Sequence, residues 1–203
     1  ALASAASRVL KRLVPDDPTR PGPRSAFDSN SPVQTDFSRA VVEETRAKLR
    51  EDLEEQGLKP GDSVFVRIFK EENELEVWMR PVGESVYVLL RTYPIRHRSG
   101  ELGPKLAEGD GQAPEGFYYV SRSRLRPATR HHLGLDLGYP NEFDRALGRG
   151  GDDILIHGGT SSAGSFALAP EHMNELYTLA EAFTRGRDFF RVHVFPFRMT
   201  DRR

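Results

Sequence analysis

The stretch His157-Gly158-Gly159-Thr160-Ser161-Ser162-Ala163-Gly164-Ser165 carries an imidazole and, eight residues later, a hydroxyl behind a glycine. A hydroxyl beside an imidazole is the minimal arrangement for acyl transfer: the imidazole takes the proton as the oxygen attacks a carbonyl carbon. Gly158, Gly159 and Gly164 let the backbone turn sharply enough for the two side chains to face each other. Gly164 also leaves space for a substrate carbonyl, and N–H groups in such a turn can converge on an oxyanion. On spacing alone the ordinary reading is a packing or surface histidine beside a polar turn, so the pattern needs support from elsewhere in the chain.

The elements around it are those a positioned site requires. Ile154-Leu155-Ile156 reads as a short buried strand running into His157, and Phe166-Ala167-Leu168 follows the turn. Pro170 opens a helix whose apolar face is Met173, Leu176, Tyr177, Ala180 and Phe183, stopped near Gly186. A last strand runs from Phe190 to Phe195. Upstream, alternation over 63–69, 74–79 and 86–92, with turns at Glu72-Asn73 and Pro81 to Ser85, predicts an antiparallel meander. Further strands are expected at 117–120 and 133–137. The glycine-rich run 99–116 is a long loop, and ordered loops of that length in compact domains are often functional. Trp78, Phe189 and Phe190 read as core. A helix is expected over 36–58, capped by Thr35 or Asp36, with Phe37, Val41, Leu49 and Leu53 inward, Glu44 and Lys48 one turn apart, and Gly57 at its end. Residues 1–35 hold several prolines and read as a flexible tether, leaving 59–203 as the main domain.

Composition narrows the classes. The net charge of -1, with 37% hydrophobic and 29% charged residues, is that of a globular domain and gives no long-range pull toward nucleic acid. There are no cysteines, which excludes disulfides and thiolate metal sites. No apolar run is long enough for an integral membrane segment. His131-His132 invites a metal reading, but adjacent strand residues point to opposite faces and no third ligand follows at a recognisable spacing.

Several blocks along the chain resemble one family. His157-Gly158 followed by Ser162-Ala163-Gly164-Ser165 is similar to the His-Gly…Ser-x-Gly-Cys signature of L,D-transpeptidase catalytic domains, the YkuD-like fold. Val66 to Glu72, Ser99 to Lys105, Gly109-Asp110 with Ala113 to Tyr118, Gly138 to Ala146 and Phe195 to Thr200 resemble its YafK-type branch. The resemblance covers roughly residues 63–200, and ordered blocks are far more specific than one short pattern.

The resemblance implies a mainly β (α+β) YkuD-like sandwich or barrel with an open groove, an N-terminal helix and a helix after the active-site loop. It implies His157 as base, Ser165 at the nucleophile position and Ser162 as a residue orienting the site, with Gly158 and Gly164 shaping the turn and oxyanion site. The substrate would be a peptidoglycan stem peptide, cut at an amide next to meso-diaminopimelate. The acyl group would pass to water or an amine, and a wall-linked protein is a further possible partner. No metal or organic cofactor is called for, and the setting would be the periplasm or cell envelope, with the chain acting as a monomer. Lys105, Asn141, Arg145 and Arg198 lie in the matching blocks and could bind stem carboxylates; pairing with Asp144 or Glu142 is the plainer reading. Glu115 could fix its loop. Arg122, Arg124, Arg126 and Arg130 form a local basic cluster.

The departure is at position 165, where the family keeps cysteine. A thiol with a pKa near about 8.5 yields a thiolate beside histidine, whereas a serine must lose its proton during attack. Ser165 is therefore either a replacement introduced by design or a natural serine form. The YafK-type branch also often carries cysteine at the positions of Thr160 and Arg96, and histidine at that of Leu147, departures that one point mutation would not produce. The reading from a different class is a non-catalytic peptidoglycan-binding protein that keeps the groove.

Overall fold

The structure, a computed structural model, describes residues 34–199. The expected tether lies outside the described residues except for its last two positions, and so do residues 200–203.

The helix α1 runs Asp36–Glu55, with Thr35 as N-cap in a reciprocal pair with Ser38. Its buried stripe is Ser38, Val42, Thr45, Leu49 and Leu53. The expected Phe37 is 48% exposed instead. A helix turns every 3.6 residues, so a strict count of four from Phe37 drifts off the face that Leu49 and Leu53 occupy. Glu44 and Lys48 do pair, at 2.5 Å, and Gly57 takes a positive φ of 68° just past the end.

The meander is present: β1 (Ser63–Phe69), β2 (Glu74–Arg80) and β3 (Val88–Arg98) pair antiparallel. Asn73 makes the β1–β2 turn at φ 53°, a conformation that asparagine tolerates well. The remaining strands are β4 (Gly116–Ser121), β5 (Leu125–Arg126), β6 (Gly134–Asp136), β7 (Leu155–Gly158), β8 (Phe166–Leu168) and β9 (Phe189–Phe195). The sheet order is β4-β9-β1-β2-β3-β8-β7-β6-β5. The two ends of this order, β4 and β5, are joined by a single 3-10 turn at Arg122–Arg124, so the sheet nearly closes on itself. β3 is the bridge: its first part pairs with β2, and Ile95 to Arg98 pair with β8.

The short helix α2 spans Glu142–Ala146, and α3 spans Pro170–Thr184 with proline in its first turn. Helix α3 lies against α1, β7, β9 and β1. All five apolar residues expected on α3 are buried, against Val66, Ile68, Leu75, Val77, Ile156, Phe166 and Val192. Each such aliphatic side chain, fully buried, contributes about 1.5–3 kcal/mol. Phe190 joins this core, whereas Trp78 and Phe189 stand half-buried on the other face. Alternation along β2 and β9 puts them there, opposite Val77, Met79 and Phe190. The architecture is mainly β with a helix before the sheet and another after the glycine turn, as the resemblance implied.

Candidate active site

Strands β7 and β8 run parallel, with Ile156 opposite Phe166, His157 opposite Ala167 and Gly158 opposite Leu168. Ile156 and Phe166 point into the core and are fully buried. Side chains alternate, so His157 lies on the opposite face. Extending the register by one residue sets Ser165 opposite Leu155 and diagonal to His157 on that same face. The turn between them returns the chain alongside β7, which is why residues eight apart come to share one face of neighbouring strands.

His157 is 3% exposed and Ser165 7%. The Ser165 Oγ accepts a hydrogen bond from the Leu155 N–H at 3.0 Å. A backbone donor aimed at that atom favours negative charge on it. The His157 Nδ1 faces the Gly158 carbonyl at 3.2 Å. With that nitrogen as donor, the other is left to accept a proton. Burial pushes the imidazole pKa below its ordinary value of 6.5; the Gly158 carbonyl opposes this, and the neighbouring His131 adds to it. A neutral imidazole is the form a base requires. Among the described residues no hydrogen bond joins His157 to Ser165.

The turn itself is held from outside. Gly164, at φ 93°, donates its N–H to the Ser99 Oγ at 2.6 Å. A Cβ there would meet the Ile154 Cδ1 at 3.2 Å and the Gln112 carbonyl oxygen at 3.3 Å. The Gly158 N–H donates to the Leu133 carbonyl. Both glycines expected to serve an oxyanion site thus have their N–H groups engaged here; Gly164 makes the turn, and Gly158 ends β7. Ser162 has a buried Oγ with no hydrogen-bond partner among the described residues.

The other expected residues are not gathered at this point. Lys105 is 4% exposed, with its ammonium bonded to the Ala107 carbonyl at 2.9 Å and to Asp110 at 2.6 Å. Asn141 caps α2 and donates to the Phe117 carbonyl. Arg145 is exposed and donates to the Pro140 carbonyl. The ion pair expected for Arg145 at Asp144 is made by Arg149 instead, at 2.9 Å. Arg198 pairs with Glu74 and Glu76. Glu115 does fix its loop, accepting from the Gly103 N–H and pairing with the fully buried Lys70. In the basic cluster, Arg122 pairs with Glu181 and Arg126 with Asp136, while Arg124 lies over the Tyr119 ring.

Sequence reasoning passed over Ser99, which begins one of the family-like blocks, and underrated His131 and His132. His131 stacks on His157, with ring centroids 4.9 Å apart. Their only sequence signal was adjacency, which suggested metal; among the described residues no three His, Asp or Glu side chains gather as a metal site would.

The pattern of the YkuD family, the L,D-transpeptidase catalytic domain, matches residues 72–194. YafK of Escherichia coli K12 is 40% identical over 142 residues, which is 70% of this chain and 57% of that protein. The same figures hold for YafK of Escherichia coli O157:H7. The chain thus spans a little over half the length of these relatives. Among solved structures, the helical cell shape determining protein Pgp2 of Campylobacter jejuni is similar in fold. Its K307A mutant gives a TM-score of 0.54 at 21% identity, over 76% of this chain and 57% of that one. The unsubstituted Pgp2 gives 0.52 at 20%, over 73% and 55%. With the extended match to the family pattern and the identity to YafK together, the chain belongs to the YkuD family of L,D-transpeptidase catalytic domains.

Proposed function

We propose that this domain acts in the cell envelope on peptidoglycan stem peptides, by acyl transfer or hydrolysis at an amide next to diaminopimelate. The observation that carries the reading is the parallel β7–β8 register, which puts His157 opposite Ala167, together with the bond from the Leu155 N–H to the Ser165 Oγ at the start of β8. The resemblance would make His157 the base and Ser165 the nucleophile. In the proposed reaction His157 takes the hydroxyl proton while the Ser165 Oγ bonds to the carbonyl carbon. The amine leaves with that proton, and an ester links the acyl group to Ser165. Water or a second amine then attacks the ester carbon as His157 takes its proton; the bond from that carbon to the Ser165 Oγ breaks, and the imidazolium returns the proton to Oγ. The Leu155 N–H, which already donates to the Oγ, orients the hydroxyl and favours the negative charge that develops on it as the proton leaves. Ser162 is proposed to turn its unpartnered hydroxyl toward the substrate or the imidazole. Lys105 and Asn141 would hold the walls of the groove, and exposed Arg145 would meet a stem carboxylate.

A second reading, a stem-peptide-binding protein without turnover, is favoured by the lack of a hydrogen bond between His157 and Ser165. A serine depends on that bond far more than a cysteine does.

The test is turnover of purified muropeptides by this chain, by Ser165→Cys and by His157→Ala. Turnover by the serine form that is lost in His157→Ala supports a serine enzyme. Turnover by Ser165→Cys alone supports a site shaped for sulfur. Binding without turnover in either form supports the second reading, and neither binding nor turnover ends the proposal.

A further inference from the structure

Two histidines outside the family signature close on the His157 end of β7, and two glycines make room for them. His131 lies flat on the imidazole, 4.9 Å between centroids with the planes at 23°. A Cβ on Gly159 would meet the His131 Cβ at 3.3 Å. A Cβ on Gly158 would meet the His132 ring at 2.7 Å. Any larger residue at 158 would push His132 away from the backbone whose carbonyl faces the His157 Nδ1.

The segment that carries these rings is pinned. The Thr129 Oγ1 accepts from the N–H groups of both His131 and His132, at 3.1 and 2.9 Å. The Thr129 N–H in turn donates to the His132 carbonyl at 2.7 Å. His132 reaches across to α3, where its Nε2 meets the Asn174 Oδ1 at 2.6 Å. Phe37 of α1 contacts its ring edge-on.

We infer that His131 and His132 are positioning residues for His157. His131 covers one face of the imidazole and keeps water from it. His132, tied to Asn174, holds the Gly158 backbone so that its carbonyl fixes which His157 nitrogen carries the proton. The titratable groups acting on His157 are His131 on its face and the Asp153 carboxylate, which favours the protonated form; from β6 the paired residue is Gly134. From β8 the paired residue is Ala167, and from α3 the link is the uncharged Asn174 amide. Neither supplies an opposing charge. Losing the cover therefore favours the imidazolium, which cannot act as a base.

This inference rests on His157 being the base, but its first test does not require turnover. The His157 ring is followed by NMR in the isotope-labelled full chain through a pH titration. The expected midpoint lies below the ordinary value, rises by about half a pH unit or more in His131→Ala, and stays near the parent in His131→Phe, which keeps a ring in place. In Asn174→Ala the ring nitrogen shifts should move from one tautomer toward a mixture of two. The inference is overturned if His131→Ala and His131→Phe move the midpoint equally or not at all, or if Asn174→Ala leaves the tautomer unchanged. Where Ser165→Cys turns over muropeptide, adding His131→Ala should move the acid limb of kcat/KM to higher pH together with the midpoint. An acid limb that stays while the midpoint moves also overturns it. Absence of turnover in every form would strike the proposed reaction and leave the imidazole result standing.

Discussion

The loop 99–115 and the turn 158–165 touch at Gly164, and they treat their polar groups in opposite ways. In the loop, the fully buried Lys70 reaches in to bond the Gly103 and Ala113 carbonyls at 2.7 and 2.9 Å and pairs with Glu115. Asp110 accepts from Lys105 and from the N–H groups of Leu106, Ala107 and Gln112. In the turn, the Ser162 hydroxyl is buried without a partner, and His157 has one long contact to its neighbour's carbonyl. Both stretches are rich in glycine, so composition does not separate them. Charge does: lysines and carboxylates close the loop on itself, while the turn has only hydroxyls and an imidazole. The loop is closed by its own charges into a rigid wall, whereas the turn is tied to its neighbours through backbone N–H groups and keeps one buried hydroxyl without a partner among the described residues.

The largest expected effect is on the wall. Lys70→Met leaves two carbonyls and the Glu115 carboxylate without their cation, and should cost about 3–5 kcal/mol in urea unfolding. A loss below about 1 kcal/mol would mean that the loop is not held by this lysine. Next comes the point of contact. Gly164→Ala places a methyl at φ 93° against Ile154 and the Gln112 carbonyl, which should cost about 1–3 kcal/mol. A neutral result would show that loop and turn can separate freely.

Acid should divide the two regions. The His157 pKa is lowered from 6.5, chiefly by burial. The unfolded chain therefore takes up a proton first, and the stability that depends on a neutral His157 is full above about 6.5 and lost as pH falls below it. For Asp110, burial opposes ionisation, but Lys105 and the three loop N–H groups outweigh it and hold the carboxyl well below its ordinary 3.8. Its contribution is present above that value and is lost only in stronger acid. Hydrogen exchange at pH 5 against pH 7, expressed as protection factors, should show weakening at Gly158 and Gly159 and no change at Leu106, Ala107 and Gln112. Equal weakening would erase the contrast. The smallest effect belongs to Ser162→Ala. No hydrogen bond is lost there, so stability should stay within about 0.5 kcal/mol. A cost above about 1 kcal/mol would reveal a partner and place the turn nearer to the loop in kind.

Much of the fold was legible in the chain. Period-two alternation marked β1, β2 and β9 to within a residue or two, and a proline followed by spaced apolar residues marked α3. The strand β5 and the helix α2 were not legible, because two and five residues are too few to show a period. The inward face of α1 was right at Leu49 and Leu53 and one residue off in the first half, where Ser38 and Val42 are buried in place of Phe37 and Val41. In the candidate site, His157, Gly164 and Ser165 stood out through the resemblance to the family signature, since their spacing alone fits an ordinary polar turn. Ser99 and His131 did not, since each meets the turn only through contacts between distant parts of the chain.

The sequence alone determined the chemistry on offer: an imidazole, a hydroxyl eight residues on, and glycines that allow the chain to double back. It also carried the resemblance to the family, in ordered blocks over much of the chain, which the family match over 72–194 and the identity to YafK bear out. Only the tertiary structure decided which lysine is a strut, which histidine covers which, and which hydroxyl lacks a partner. The physical reason is that local pattern sets the direction of each side chain along its own element. Burial and hydrogen bonding depend on what the sheet register and the helix packing bring opposite it.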